Sequence, residues 1–248
     1  SNNPGRLAKA YWRGLTHAII YALWWSPILI KNLHAVGVAE PLLVPETSID
    51  PGIHVISHIF STLTHLGIFG NVDEFDAVKM AIPCSRWSII PKQKLGNSRP
   101  RIRIAIQPGS STPQKNWPIA CFLELATRFT EKFGAEVHFF LGPAEQHLYS
   151  HLIHFATSLR WKVSLITTLA NLADDLISFN LYIGNDTGTS HLAGLLNIPT
   201  LVLFGPTAPE IWAPLGRHVV ALREKPISNL SVDKVWDSAV DILASYMM

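Results

Sequence analysis

The sequence predicts an α/β fold built on a parallel β-sheet with helices on both faces. Short apolar runs such as IRIAIQ (102–107), LYIG (181–184) and TLVLFG (200–205) have the length and composition of buried strands. Segments with helical spacing separate these runs, and such alternation is typical of parallel sheets. The polar segment 91–101 contains Pro and Gly, lacks apolar periodicity and therefore predicts a linker between two domains.

The elements beyond this linker follow one another in a regular order. A helix is predicted at PIACFLELATRFTEKFG (118–134), with Pro118 suited to its first turn and Gly134 to its C-cap. Two more strands are predicted at EVHFFLG (136–142) and VSLIT (163–167). Three more helices are predicted at AEQHLYSHLIHFATSL (144–159), LANLADDLISF (169–179) and TSHLAGLLN (189–197). We predict a first domain at 1–95, a linker at 96–101 and a second domain at 102–248.

Composition narrows the range of functions. The net charge of +2 comes from scattered Lys and Arg without a basic run, so we expect no nucleic-acid partner. The 11 histidines are spread singly and form no HExxH or Cys/His spacing, so no metal site is expected. Cys84 and Cys121 lie far apart in the sequence and fit no disulfide framework, which favours a reducing cytoplasm.

The segment Leu15–Ile30 carries no formal charge. It is short for a membrane-spanning helix, which needs about 20 apolar residues, and Pro27 interrupts it. We expect a buried helix here. Trp24 and Trp25 keep open a peripheral membrane contact, and a signal peptide is the third alternative.

Four polar loops each follow a predicted strand of the second domain. They are QPGSSTPQKNWP (107–118), LGPAEQ (141–146), GNDTGTSH (184–191) and FGPTAPEIW (204–212). In open parallel sheets, ligands bind beyond the carboxyl ends of the strands, where loops lead into helix N-termini. We therefore expect the four loops to converge on one binding edge.

The chemistry of these loops favours an anionic ligand. Thr187 and Gly188 begin a predicted helix, where unpaired backbone N–H groups and the helix dipole attract anions. Asp186 cannot hold a phosphate itself and fits an N-cap or an acceptor for a sugar hydroxyl. Lys115 on a neighbouring loop could neutralise a phosphate. The structural alternatives are simple helix capping by the DTG turn and an ordinary solvated lysine.

Three other side chains have two interpretations each. Glu145 fits either a favourable charge in a first helical turn or a carboxylate that accepts ribose hydroxyls. Trp117 and Trp212 are expected to be packing residues, with the lining of a base or sugar pocket as the alternative.

The runs PGSSTPQKNWP, GPAEQ and GNDTGTSHLAGLLNIPTLVLFGPTAPEIWAPLG resemble the C-terminal domain of lipopolysaccharide heptosyltransferases, glycosyltransferase family nine. The resemblance covers residues 102–224, and HVISHIFSTLTHLGI (54–68) is a looser match. It implies a GT-B fold with two Rossmann-like domains, the first incomplete in this chain and the second a doubly wound parallel sheet. It also implies inverting, metal-independent transfer of a heptose from an ADP-sugar to a lipid-linked saccharide, the lipopolysaccharide inner core, without a cofactor. The expected location is the cytoplasm, with peripheral contact at the cytoplasmic face of the inner membrane as a further expectation.

The resemblance also implies roles for individual residues. Lys115 corresponds to a phosphate-binding lysine, and Glu145 to an acidic residue at the ribose. Asp186 would face the transferred sugar, and Thr187 and Gly188 the diphosphate. His191 could point to the site or pack. The same loop as Lys115 carries three hydroxyl residues expected near the phosphates, namely Ser110, Ser111 and Thr112.

One part of the family pattern is missing. The family's general base is a carboxylate in a Gly-Asp turn near the start of the first domain, and this sequence has no such turn. We therefore expect a shortened first domain, a chain inactive as given, and name no base. The available carboxylates are Glu40, Glu46, Asp50, Asp73, Glu74 and Asp76. A nucleotide-sugar-binding module without turnover and a GT-B-like sugar-nucleotide epimerase stay open as alternatives.

Overall fold

The computed structural model describes residues 19–22, 27–35, 37–38, 42–45, 53–58, 101–159 and 161–247. The chain divides into two compact units, Ser1–Glu74 and Phe75–Met248. Because residues 59–100 lie outside the described ranges, the linker predicted at 96–101 stays a prediction, as do the domain limits next to it.

In the first unit, two parallel strands are described. Strand β1 (Ile19–Ala22) pairs with β2 (Leu42–Pro45), and helix α1 (Pro27–Ala35) lies between them in sequence. The single buried helix predicted over Leu15–Ile30 is therefore wrong. The sequence IIYA is rich in residues that favour strands, and Pro27 cannot continue a preceding helix but suits a first helical position. Within the described ranges, no helix has the length and apolarity to span a bilayer.

In the second unit, six parallel strands form one sheet in the order β5-β4-β3-β6-β7-β8. The strands are β3 (Arg103–Gln107), β4 (Glu136–Leu141), β5 (Lys162–Leu165), β6 (Leu181–Asn185), β7 (Thr200–Phe204) and β8 (Val219–Arg223). The first and fourth of these strands in sequence are neighbours at the centre, with Gln107 opposite Gly184. The predicted parallel sheet is confirmed.

The helices of this unit occupy the intervals between the strands. They are α2 (Ile119–Phe133), α3 (Tyr149–Leu159), α4 (Leu169–Leu176), α5 (Gly188–Leu195), α6 (Pro209–Trp212) and α7 (Val232–Met247). Short 3-10 turns lie at Pro113–Lys115, Pro143–Leu148 and Ile227–Asn229. Helix α2 matches its predicted limits closely, because Pro118 is its N-cap and Gly134 ends it with a φ of 61°.

Two separate cores show that helices cover both faces of this sheet. Ile104 and Ile106 of β3 point to one face, where they join buried residues of α2, α3 and α7. Ala105, between them, points to the other face and packs in a core with residues of α4 and α5. This alternation follows from the period of two in a strand. The predicted doubly wound arrangement is confirmed.

The strand order marks the place of a crevice at the carboxyl ends of the central strands. All six strands are parallel, so the four loops predicted to converge leave the carboxyl ends of the adjacent strands β4, β3, β6 and β7. Between β3 and β6 the order of the strands reverses, and connections then diverge to either side. That reversal is the position at which open α/β sheets bind ligands.

Gly134 gives a first test of the fold. Its backbone is left-handed, and an added Cβ would meet nothing within 4 Å, so the penalty of Gly134→Ala is conformational rather than steric. We expect Gly134→Ala to lower the free energy of unfolding by about 1 kcal/mol. Gly134→Asn should cost less, because Asn tolerates this conformation better. Chemical denaturation measures both; an equal or larger loss with Asn would contradict the assignment.

His138 gives a pH test. The imidazole stacks on Phe140 with centroids 4.2 Å apart, and Nε2 lies 2.8 Å from Ser164 Oγ. Burial, with smaller contributions from Lys162 and Arg103, lowers the pKa of His138 to about 4 from 6.5. Between a pH of about 4 and 6.5, His138 is therefore protonated in the unfolded chain and neutral in the folded chain. Stability should fall as the pH drops from 6.5 towards 4, and less steeply in His138→Gln. Equal slopes in urea titrations would overturn this.

Candidate functional site

The loop after β3 carries Lys115 to the crevice. Lys115 ends the turn Pro113–Lys115, and its Nζ donates a hydrogen bond to Asp186 Oδ2 at 2.7 Å. The Asp186 side chain is 8% exposed and that of Lys115 is 22% exposed. At this burial an ion pair is screened less than a surface pair. The structure therefore brings together two predicted site residues that lie 71 positions apart in the sequence.

Asp186 also contacts the loop after β7. Its backbone N–H donates to Leu203 O at 3.1 Å, which continues the pairing of β6 with β7. Thr207 Oγ1 donates to Asp186 Oδ2 at 2.7 Å, the same oxygen that Lys115 contacts. Loops from three adjacent strands thus meet at one carboxylate oxygen.

Thr187, not Asp186, caps helix α5. Thr187 has extended backbone angles, and its Oγ1 accepts a hydrogen bond from the N–H of Thr189 at 3.3 Å. The N-cap alternative for Asp186 is therefore wrong, since its side chain is held by Lys115 and Thr207. Gly188 is the first helical residue, and a Cβ on it would meet nothing within 4 Å. The N–H groups of Thr187 and Gly188 have no acceptor in the part of the chain that the structure describes.

A buried polar network fixes the first turn of α5. Thr189 Oγ1 donates to Gln107 Oε1 at 3.1 Å and lies 2.9 Å from the hydroxyl of Tyr182. Ser190 Oγ donates to Asn185 O at 2.6 Å. Burial raises the pKa of Tyr182 to about 12, so its hydroxyl stays protonated at neutral pH. Strands β3 and β6 together hold the helix N-terminus.

Glu145 belongs to the loop that follows β4 and faces Gly109 on the loop that follows β3. It is buried, and its Oε2 accepts a hydrogen bond from Gly142 N–H at 2.9 Å. This bond and its place in the first turn of Pro143–Leu148 agree with the interpretation of Glu145 as a favourable charge in a first helical turn. Gly109 faces the same carboxylate so closely that a Cβ would lie 1.9 Å from Glu145 Cδ. Glu145 also lines a cavity of about 340 Å³ together with Ser110 and Ser111.

The other predicted residues surround these groups. Ser110 Oγ lies within hydrogen-bond distance of two acceptors, Thr112 O at 2.8 Å and Asn116 Oδ1 at 2.5 Å, so its one hydroxyl hydrogen stabilises its own loop. Ser111 and Thr112 are exposed. His191 is half-buried on α5, and either of its two predicted roles stays a prediction.

The two tryptophans differ in burial. Trp117 belongs to the hydrophobic core, stands edge-on to Phe122 at 4.9 Å, and donates from Nε1 to Leu230 O at 2.9 Å. It is a packing residue, although it also lines the cavity beside Glu145. Trp212 is half-buried in α6.

Known proteins are similar to the part of the chain that carries this site. The model of glycosyltransferase family 9 (heptosyltransferase) matches residues 81–235, more than half of the chain. The chain belongs to glycosyltransferase family 9. This match includes every residue of the site described above, and the predicted family is confirmed.

Curated relatives in this family match over shorter segments. Lipopolysaccharide heptosyltransferase 1 of Pseudomonas aeruginosa is 36% identical over 115 residues, which are 46% of this chain and 32% of that protein. Lipopolysaccharide heptosyltransferase 2 of Escherichia coli is 30% identical over 135 residues, 52% of this chain and 38% of that protein. The matched segment thus spans 32% and 38% of the length of these two relatives.

Solved structures of the family share the fold. The structure of Escherichia coli heptosyltransferase WaaC with ADP has a TM-score of 0.68 at 14% sequence identity. The alignment covers 96% of this chain and 76% of the WaaC chain. A family 9 glycosyl transferase from Veillonella parvula has a TM-score of 0.67 at 17% identity, with coverages of 98% and 80%. At these identities the likeness shows the fold, and the predicted GT-B class is confirmed.

Sequence reasoning missed three polar residues of this family 9 site. Thr207 donates to Asp186, Gln107 accepts from Thr189, and Asn185 links β6 to the loop of Lys115. Gln107 ends the apolar run IRIAIQ, and Asn185 directly follows the run LYIG. Thr207 directly follows Gly205 and Pro206. A polar residue that ends an otherwise apolar strand at the binding edge is a signal that could have found Gln107 and Asn185.

The contact between Gly109 and Glu145 predicts non-additive substitutions. Gly109→Ala should displace the Glu145 side chain and lower the free energy of unfolding by about 1–3 kcal/mol. In Glu145→Ala the obstructing carboxyl is gone, so the same glycine substitution should cost less there by at least about 0.5 kcal/mol. Gly188→Ala, with open space for its Cβ, is the control and should leave stability nearly unchanged. Additive losses at 109 and 145 would contradict the contact.

Proposed function

We propose that the second unit binds the nucleoside diphosphate of a sugar donor and that the protein transfers a heptose from an ADP-sugar to the lipopolysaccharide inner core. The observation that carries the proposal is the ion pair of Lys115 with Asp186 beside the N-terminus of α5, at the point where the strand order reverses. The names of the curated relatives, which are lipopolysaccharide and lipooligosaccharide heptosyltransferases, support the sugar and the acceptor.

Lys115 is suited to the phosphates because its contact with Asp186 uses one of three N–H donors on its ammonium group. The other two can reach a phosphate without breaking this ion pair. Asp186 fixes the long side chain before a ligand arrives, which reduces the rotamer entropy lost on binding. A lysine held in this way acts as a positioned point charge for a phosphate.

The N-terminus of α5 supplies a second group for the diphosphate. The N–H groups of Thr187 and Gly188 are unpaired among the described residues, and the helix dipole makes this end partially positive. The open space beside Gly188 leaves room for the phosphate oxygens. Ser111 and Thr112 are exposed on the loop of Lys115 and can donate hydroxyl hydrogen bonds to the same group.

Two carboxylates keep an oxygen for hydroxyl groups of the ligand. Within the described residues, the donors to Asp186 contact Oδ2, and Oδ1 has none. We assign Oδ1 to a hydroxyl of the transferred sugar. In Glu145 the bond from Gly142 uses Oε2, so Oε1 is assigned to a ribose hydroxyl. The cavity beside Glu145 offers space for part of the nucleoside.

This arrangement supports metal-independent chemistry. When the sugar is transferred, negative charge accumulates on the leaving diphosphate, and both Lys115 and the N-terminus of α5 can stabilise it. An inverting displacement further needs a base near the acceptor hydroxyl. The carboxylates considered for that role, Glu40 to Asp76 in sequence, lie outside the described residues, and no base is assigned. We place the reaction on the cytoplasmic side of the inner membrane, where a lipid-linked acceptor would be elongated.

A product assay tests the transfer. The chain is incubated with an ADP-heptose and a lipid acceptor that lacks the inner-core heptoses, and the product is identified by mass spectrometry. A mass increase of one heptose with release of ADP supports the proposal. Binding of the nucleotide without product is the result expected for this sequence, because it has no Gly-Asp turn to supply the base. It would favour a nucleotide-sugar-binding module only if a longer form that contains this turn also gave no product. Conversion of the donor sugar without an acceptor would favour an epimerase.

Lys115 gives a sharper test of the donor site. Lys115→Ala should weaken the binding of ADP far more than that of adenosine, because charge-assisted hydrogen bonds contribute roughly 1.5–3 kcal/mol. This corresponds to about 10- to 100-fold in Kd for ADP. Isothermal titration calorimetry with both ligands measures the difference. Lys132→Ala, which removes a lysine from the end of α2, is the matched control and should change neither affinity. Equal losses for ADP and adenosine would disprove the phosphate role.

A further inference from the structure

Asn185 connects the central strand β6 to the loop that carries Lys115. It is the last residue of β6 and is completely buried. Its Nδ2 donates to Pro108 O at 2.7 Å and lies 3.4 Å from Gly109 O. Its Oδ1 accepts from the backbone N–H of Trp117 at 3.0 Å. One side chain therefore bonds both ends of the loop 108–117.

The two bonds require a primary amide. Pro108 contributes a carbonyl oxygen that only accepts, and Trp117 contributes an N–H that only donates. This pattern fixes which end of the Asn185 amide is oxygen and which is nitrogen. A hydroxyl is too short to reach both partners, and an ionised carboxylate cannot donate to Pro108. The need for both a donor and an acceptor explains why a polar residue occupies this buried place.

The loop closed by Asn185 contains the cation of the site. Lys115 lies within it, and its ion-pair partner Asp186 directly follows Asn185 in the chain. Asn185 therefore fixes the loop of one partner to the strand end that carries the other. We propose that Asn185 is a positioning residue, which holds Lys115 at the distance from Asp186 and the N-terminus of α5 that a diphosphate requires. This inference rests on the proposed function for its ligand but not for its geometry.

A second attachment of the loop should keep the effect local. The indole of Trp117 lies in the hydrophobic core and donates to Leu230 O at 2.9 Å. This contact does not involve Asn185. Loss of the amide should thus release residues 108–116, while the sheet and its two cores remain.

Asn185→Asp tests the proposal without a ligand. At pH 8 the introduced carboxyl, if ionised, faces the carbonyl of Pro108 and cannot donate to it. We expect the backbone N–H groups of segment 108–117 to exchange with deuterium roughly tenfold or more faster than in the unsubstituted chain. Peptides from β4 and β7 should exchange as before. The control is Asn180→Asp, because among the described residues Asn180 bonds through Oδ1 alone, as acceptor for Arg103 N–H at 2.8 Å.

The exchange ratio is the exchange rate of segment 108–117 in a variant divided by that in the unsubstituted chain. Its pH dependence distinguishes a positioning role of Asn185 from a general loss of stability. A protonated carboxyl has one donor and one acceptor and can reproduce both bonds of the amide. The charged groups on the adjoining segments are Asp186 beside it, Lys115 on the closed loop and Glu145 against Gly109, and β6 also carries the titratable hydroxyl of Tyr182. The exchange ratio in Asn185→Asp should return towards one as the pH falls and the carboxyl is protonated. Asn180→Asp should show no such recovery.

ADP binding then connects the geometry to the ligand. We expect Asn185→Asp to weaken ADP binding at pH 8 by roughly tenfold or more, with adenosine affected little. In that variant, adding Lys115→Ala should cause a smaller further loss than it does alone, because Lys115 is already misplaced. If Asn185→Asp does not fold, Asn185→Ala is used for the same exchange and binding measurements.

The outcomes separate this inference from the proposed function. Unchanged exchange in 108–117 in both Asn185→Asp and Asn185→Ala, or faster exchange throughout the sheet without recovery at low pH in Asn185→Asp, would overturn the positioning role. Independent losses from Asn185→Asp and Lys115→Ala would overturn it as well. Failure of the unsubstituted chain to bind ADP would contradict the donor site, while the exchange result would still decide whether Asn185 holds the loop.

Discussion

The pairing of β3 with β6 is the constraint on which the candidate site depends. These strands are the first and fourth of the second unit's sheet in sequence, yet they are central neighbours, with Ile104 opposite Leu181. Their carboxyl ends present Gln107 and Asn185 side by side, and the loops that follow them carry Lys115 and Asp186. Because both strands are rigidly buried between two cores, the two charged side chains begin from fixed positions.

Most of the buried polar residues that the structure describes lie at the carboxyl ends of the strands. Of the buried polar residues described, those at the carboxyl edge are Gln107, Glu145, Asn185, Asp186 and Ser190. Burying such groups destabilises a fold unless each finds hydrogen-bond partners, and here each does. An apolar core would have been simpler to stabilise. The network therefore indicates that this edge is organised for a ligand, in agreement with the membership of family 9.

The sequence was sufficient to predict most helices and strands of the second unit, but not the contacts between them. The limits of α2 followed from Pro118, helical periodicity and Gly134, and five strands followed from short apolar runs, since these signals are local. Strand β8 and helix α7 were not predicted, although VVALR is a short apolar run between Gly216 and Pro226. Over Leu15–Ile30, apolar composition suggested one helix, whereas Pro27 marks where the described helix begins.

The site shows the same division between local and long-range information. The resemblance named Lys115, Asp186 and Glu145, but the contact of Lys115 with Asp186 joins residues 71 positions apart and depends on the strand order. The sequence offered Asp186 as an N-cap, since Asp is a residue type that caps helices, whereas the structure has Thr187 in this place. The Asp186 carboxylate instead accepts hydrogen bonds from Lys115 and Thr207, which only the folded chain brings near.

The charge balance of the crevice explains why a carboxylate lies where an anion is expected to bind. Without a ligand, Asp186 neutralises Lys115, so the half-buried ammonium group does not remain an uncompensated charge. The same carboxylate repels a diphosphate, and that repulsion has to be offset by other positive groups. The N-terminus of α5 begins two residues later and supplies unpaired N–H groups together with the helix dipole. A ligand that contacts both Lys115 and this helix end, while offering a hydroxyl to Asp186, satisfies all three at once, and a sugar joined to a diphosphate has this combination of groups.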